Sequence, residues 1–134
     1  MTADIKPTKC RCILLADDDE VTQEAVRRAV EKLGHQVIGT TTGIGAIQLA
    51  AAAQPDLIVL DIGFPDLDGR DVLAKLKADR RTAHIPVVVW SGREGHSSDS
   101  RIALELGAED YVEKSDAGLL MGKIERVLFR LDPS

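Results

Sequence analysis

From residue 11 onward, short apolar runs alternate with stretches of helical period. Residues 11–16 carry Ile13-Leu14-Leu15-Ala16 as consecutive apolar positions, the mark of a strand covered on both faces. A helix follows over about 19–33, where Val21, Ala25, Val26, Ala29, Val30 and Leu33 supply a face of 3.6-residue period. Asp18 or Asp19 can cap its start and Gly34 can end it. Residues 37–40 predict a second strand. Ile44, Ile47, Leu49 and residues 50–53 predict a second helix, stopped by Pro55. Leu57–Leu60 reads as the third strand, and 70–78 as the third helix, bearing Val72, Leu73 and Leu76. A fourth strand is predicted over 85–90. A Gly/Ser-rich loop over 91–98 then leads into a helix ending near Leu106-Gly107. Asp110–Glu113 is the fifth strand. The closing amphipathic helix runs from Ala117 to Leu131, with Ile124, Val127, Leu128 and Leu131 as its core stripe.

Five strands alternating with five helices predict an α/β fold, a doubly wound parallel sheet with helices on both faces. The 134 residues suffice for one compact core without a disulfide or structural metal. We read residues 1–9, polar and containing Pro7, as a flexible lead-in, residues 10–131 as the domain and 132–134 as a tail. A net charge of -5 and the lack of a long basic run argue against nucleic-acid or anionic-membrane binding. With no leader pattern or membrane-length apolar stretch, the sequence is expected to be cytoplasmic. Cys10 and Cys12 face one side of a strand. Without a nearby His or a further Cys they cannot complete a tetrahedral zinc site, and a buried, reduced pair is expected. His35, His84 and His96 are expected in solvent, and Trp90 in the core.

The chemistry lies at the strand ends. Asp17-Asp18-Asp19 follows the first strand, Asp61 the third, Ser91 the fourth and Lys114 the fifth. In an open parallel sheet these ends share one edge, where ligands bind. Two carboxylates ~4 Å apart repel by about 4 kcal/mol at an effective dielectric near 20, so such a cluster takes up protons or a cation. Oxygen ligands alone point to Mg2+, which combines one or two carboxylates with waters and phosphate oxygens. Asp61 then suits an aspartyl-phosphate nucleophile. Lys114 can neutralise the incoming phosphoryl group, and the Ser91 hydroxyl can donate to it. Asp19 reads as a helix cap, and Asp66 and Asp68 as residues shaping the turn before Gly69.

Five segments together resemble the receiver domain of two-component response regulators. They are Ile13 to Asp19, Pro55 to Asp61, Phe64-Pro65-Asp66-Leu67-Asp68-Gly69, Ile85 to Ser91, and Gly107 to Lys114. The resemblance runs from about residue 11 to 130. It implies a flavodoxin-like sheet of order 2-1-3-4-5. It also implies phosphorylation of Asp61 by a histidine kinase or a histidine phosphotransfer protein. Asp17, Asp18, Asp61 and the Gly63 carbonyl would hold Mg2+, Ser91 would be the switch hydroxyl, Tyr111 the switch aromatic and Lys114 the phosphate contact. No enzymatic activity is implied beyond the chain's own phosphorylation and dephosphorylation.

One position departs from that family. Ser115 stands where a proline usually follows the lysine in cis. A cis bond before a non-proline residue costs about 2.5–4 kcal/mol, so a trans Lys114–Ser115 bond is expected. Arg93, two residues past Ser91, is expected near the phosphate pocket. With no DNA-binding module after residue 131, output is expected through a protein partner at the fourth helix, fifth strand and fifth helix. Three other readings compete: a receiver fold that binds partners without phosphorylation, an aspartate-nucleophile phosphatase of the haloacid-dehalogenase type, and a flavodoxin-like cofactor binder. The phosphatase pattern wants Gly and Thr or Val after the second aspartate, but Glu20-Val21 follows here. The triple aspartate would repel the bare phosphate of a flavodoxin-like cofactor.

Overall fold

The computed structural model describes residues 11–92 and 97–131. The expectations for the lead-in, Cys10, Arg93, His96 and the tail fall outside them. Ten elements alternate: β1 (Cys12–Ala16), α1 (Glu20–Lys32), β2 (Gln36–Thr40), α2 (Gly43–Ala53), β3 (Leu57–Leu60), α3 (Gly69–Ala78), β4 (Val87–Ser91), α4 (Ser97–Glu105), β5 (Asp110–Glu113) and α5 (Ala117–Leu131). The strands form one parallel sheet of order β2-β1-β3-β4-β5, as the resemblance implies.

Side-chain alternation along the buried strands divides the core in two. Ile13, Leu15, Leu57, Val59, Val88 and Trp90 face α1 and α5, meeting Val26, Val30, Leu120 and Ile124. Leu14, Ala16, Ile58, Leu60, Val87 and Val89 face the other way, against Ala46, Ala50, Val72, Leu73, Leu76 and Ala103. Each of these strands needs apolar residues at successive positions, which explains the unbroken runs in the sequence.

Several expectations require correction. Val21 is 79% exposed and Ala25 is exposed, so the buried line of α1 is Val26 and Val30. At about 100° per residue Val21 lies about 140° from Val26, too far round to touch the sheet. Leu131 is exposed at the last turn of α5, past the point where Ile124, Val127 and Leu128 meet the core. The fourth strand starts at Val87 rather than at residue 85, because Pro86 has no N–H to give the ladder; its carbonyl still accepts from Ile58 N–H at 3.0 Å. Cys12 is half-buried rather than buried. His35 is 7% exposed: its Nδ1 accepts from Arg11 N–H at 3.1 Å, which draws the ring beneath the start of β1. His84 is exposed as expected.

Caps follow the local chemistry. Asp19 caps α1, accepting from Val21 N–H at 3.1 Å and the Thr22 hydroxyl at 2.7 Å. Gly34 takes the left-handed position after α1 (φ 92°), its N–H donating to Glu31 O. No helix among the described residues is long and apolar enough to cross a membrane.

Candidate functional site

The parallel ladder sets the site. Ala16 pairs with Leu60, so Asp17 and Asp61 leave adjacent strands at the same level. Asp61 N–H donates to Ala16 O at 2.8 Å, and Asp17 N–H to Thr40 O at 3.1 Å. Carboxylate oxygens of Asp17, Asp18 and Asp61 lie within 4.8 Å of one another. Asp17 and Asp61 are 3% and 6% exposed, whereas Asp18 faces solvent. Ser91 and Glu113 are paired at the end of β4 and β5, and Lys114 N–H donates to Ser91 O at 2.8 Å. The lysine therefore turns toward β1 and β3. Its Nζ lies 2.9 Å from Asp17 Oδ2 and 3.5 Å from Asp61 Oδ2.

These contacts set the charge states. Burial is the largest influence on Asp61 and pushes its pKa up to about 6. Lys114 opposes that rise, while the Asp17 charge and the Asp18 carboxyl reinforce it. Burial disfavours the Lys114 ammonium too, but its bond to Asp17 and the charges of Asp61 and Asp17 outweigh it and hold its pKa above the usual lysine range. Asp17 Oδ1 accepts from Asp19 N–H at 2.9 Å. Its buried Oδ2 accepts no well-aligned hydrogen bond among the described residues and has only the ammonium contact. Buried acceptors of this kind with all-oxygen donors around them fit a hard cation such as Mg2+.

The remaining sequence candidates fall at the same edge. Ser91 is 1% exposed and follows Val87 and Val89 on the α4 side of the sheet. Tyr111 packs against that same side of the core, its buried hydroxyl without a hydrogen-bond partner among the described residues. Gly63 lies in the loop between β3 and α3, bridged to Asp68. No cis peptide occurs among the described residues, so Lys114–Ser115 is trans as expected. Asp116 makes this junction work: its N–H donates to Glu113 O at 3.0 Å, and its carboxylate accepts from Leu119 N–H at 2.9 Å at the start of α5.

Asp66 is not merely a turn residue. Its carboxylate accepts from Gly43 N–H at 2.8 Å and Ile44 N–H at 3.0 Å, tying the β3–α3 loop to the N-terminus of α2. Those bonds, Ile44's foremost, hold its pKa below the usual range. Asp68 does shape the entry to α3, accepting from Arg70 N–H. Gln23 carried no signal in the sequence, yet its Nε2 donates to Asp17 O at 3.2 Å and Thr40 O at 3.0 Å. Behind Asp17, a cavity of about 10 Å³ lies between Gln23, Val26, Val59 and Trp90.

Known proteins give the same picture. The family described as response regulator receiver domain matches residues 13–125. The transcriptional regulatory protein KdpE of Mycobacterium tuberculosis is 43% identical over 102 residues, 76% of this chain and 43% of that protein. This chain spans about half the length of such curated relatives. A two-component response regulator of the LuxR family from Aurantimonas sp. is 27% identical, with a TM-score of 0.81 over 90% of this chain and 86% of that one. The Mn2+-bound form of response regulator Rcp1 is 30% identical, with a TM-score of 0.69 over 78% of this chain and 81% of that one.

Proposed function

Since this chain belongs to the receiver domain family of two-component response regulators, we propose that Asp61 accepts a phosphoryl group from a phosphohistidine. The donor is a histidine kinase or a histidine phosphotransfer protein, and the exchange takes place in the cytoplasm. The observation that carries this reading is the buried Asp61 carboxylate gathered with Asp17, Asp18 and Lys114 at one sheet edge. Family membership disfavours the phosphatase and the flavodoxin-like binder.

In the forward step a carboxylate oxygen of Asp61 attacks phosphorus, the P–N bond breaks and the imidazole leaves. Asp61 must be ionised to attack; burial pushes its pKa up to about 6, and a divalent cation beside it favours the charged form. Asp17, Asp18, Asp61 and the Gly63 carbonyl would hold Mg2+, whose charge offsets that of the transferring group. Lys114 lies beside Asp61, where its ammonium can pair with a phosphoryl oxygen. The Ser91 hydroxyl would donate to a second oxygen, and its shift would bias Tyr111 on the same face of the sheet. The surface altered is that of α4, β5 and α5, which we assign to a downstream protein partner rather than to nucleic acid. The chain turns over no substrate other than its own phosphoryl group.

Incubation with acetyl phosphate and Mg2+, followed by intact mass, tests the assignment. Wild type should gain one phosphoryl adduct and Asp61→Asn none. A folded wild type that gains no adduct would overturn the proposal and leave a binding module of the same fold.

A further inference from the structure

Asp17 is fixed through its peptide as well as its carboxylate. Its N–H donates to Thr40 O, and its own carbonyl accepts from Gln23 Nε2. The same Nε2 reaches Thr40 O. One side-chain amide on the second turn of α1 thus bridges the ends of β1 and β2 at the residue that opens the acidic pocket. Both backbone groups of Asp17 are thus engaged, which holds the peptide from which its carboxylate extends.

The sequence makes room for that bridge at Gly39. A Cβ on Gly39 would stand 2.5 Å from Gln23 Oε1, closer than real Cβ atoms come, and 3.0 Å from Gln23 Cδ. Any side chain at position 39 would displace the amide. Gln23 is half-buried, and Arg27, whose Nη2 would lie 3.3 Å from the same Cβ, donates to Val37 O at 3.2 Å.

We propose that Gln23, accommodated by Gly39, is a positioning residue for the divalent cation, acting through the peptide of Asp17. The inference rests on the metal reading above and adds to it a residue that touches neither ion nor phosphoryl group. Partners that orient a metal ligand typically govern affinity about 10- to 100-fold. Gln23 holds the ligand's backbone rather than its carboxylate, so the lower end applies.

Mg2+ titration by calorimetry on the full chain, with urea unfolding in EDTA alongside, tests it. Gln23→Ala should weaken Mg2+ binding about tenfold. Gly39→Ala, which leaves the glutamine in place but pushes its amide aside, should weaken binding in the same direction. The double variant should bind no more weakly than Gln23→Ala alone, because both changes remove one interaction. A purely structural role predicts lower stability in EDTA with an unchanged Mg2+ affinity of the folded protein, and that result overturns the proposal. So do additive losses in the double variant. Should Gln23→Ala fail to fold, Gly39→Ala and the isosteric Gln23→Met carry the comparison. If wild type binds no Mg2+, the metal reading fails and this inference with it. If wild type binds and the variants match it, only the inference fails.

Discussion

Asp61 faces opposite demands with and without metal. Its folded pKa of about 6 lies above the ordinary value of 3.8, chiefly through burial. The folded state therefore binds more protons at Asp61 than the unfolded state between those values, so this residue's contribution to metal-free stability is complete below about 4 and declines as pH rises through about 6. Urea unfolding in EDTA should show that decline, and Mg2+ should reverse it above pH 7. Asp61→Asn removes the buried charge while keeping the shape. We expect it to be more stable than wild type in EDTA at pH 8 by about 1–2 kcal/mol, allowing for solvent screening at the pocket mouth. An equal or lower midpoint would contradict this. His35 has the opposite sign. Burial, helped by Arg11 and opposed by Asp56 and Glu125, lowers its pKa. A proton on Nδ1 would also break the bond from Arg11 N–H. Its stabilisation is complete above about 6.5 and is lost as pH falls below that value. Unfolding of Asp61→Asn across pH 5–7 should expose that slope, and His35→Gln should flatten it.

Among the elements, the β3–α3 loop meets the start of α3 at close range. Gly69 lies where a Cβ would stand 2.6 Å from both Asp61 O and Ile62 O, against rigid backbone. Gly69→Ala should therefore cost about 1–3 kcal/mol in urea unfolding, the range of an overpacked core. Asp66 fastens the same loop to α2. Asp66→Ala should selectively speed hydrogen exchange at the Gly43 and Ile44 amides, which lose their acceptor. Unaltered exchange at both would remove Asp66 from the capping role. These elements also mark the limit of what a linear reading reveals. Strands β3 and β5 and helix α5 were legible to the residue, because apolar runs and helical period are local signals. So was the gathering of Asp17, Asp61, Ser91 and Lys114, since parallel strands bring their ends to one edge. The clamp by Asp66 was not legible: its partners lie more than 20 residues upstream, and Asp-Leu-Asp-Gly is a turn pattern whichever amides it binds. Val21 and His35 were misplaced for a related reason. Periodicity gives a helix its apolar arc but not the width of sheet that covers it, and a histidine's polarity is silent on whether a backbone donor awaits it.

At the scale of the molecule, the sheet is a partition. Neighbouring residues on β4 point to opposite sides, so Trp90, paired with Val112, joins the α1–α5 half of the core, and Tyr111, paired with Val89, joins the α2–α4 half. Each is the chain's single residue of its type. Trp90 also borders the small cavity behind Asp17, whereas Tyr111 shares its face with Ser91. The protein therefore contains two native chromophores, one for each half. Excitation at the red edge of absorption selects the indole, so adding Mg2+ should alter its emission through Asp17. Near-ultraviolet circular dichroism of the phenol should respond only once acetyl phosphate is supplied. If both signals move together on metal alone, the two halves are mechanically joined. If they separate, cation binding and phosphorylation can be timed independently in one unlabelled sample.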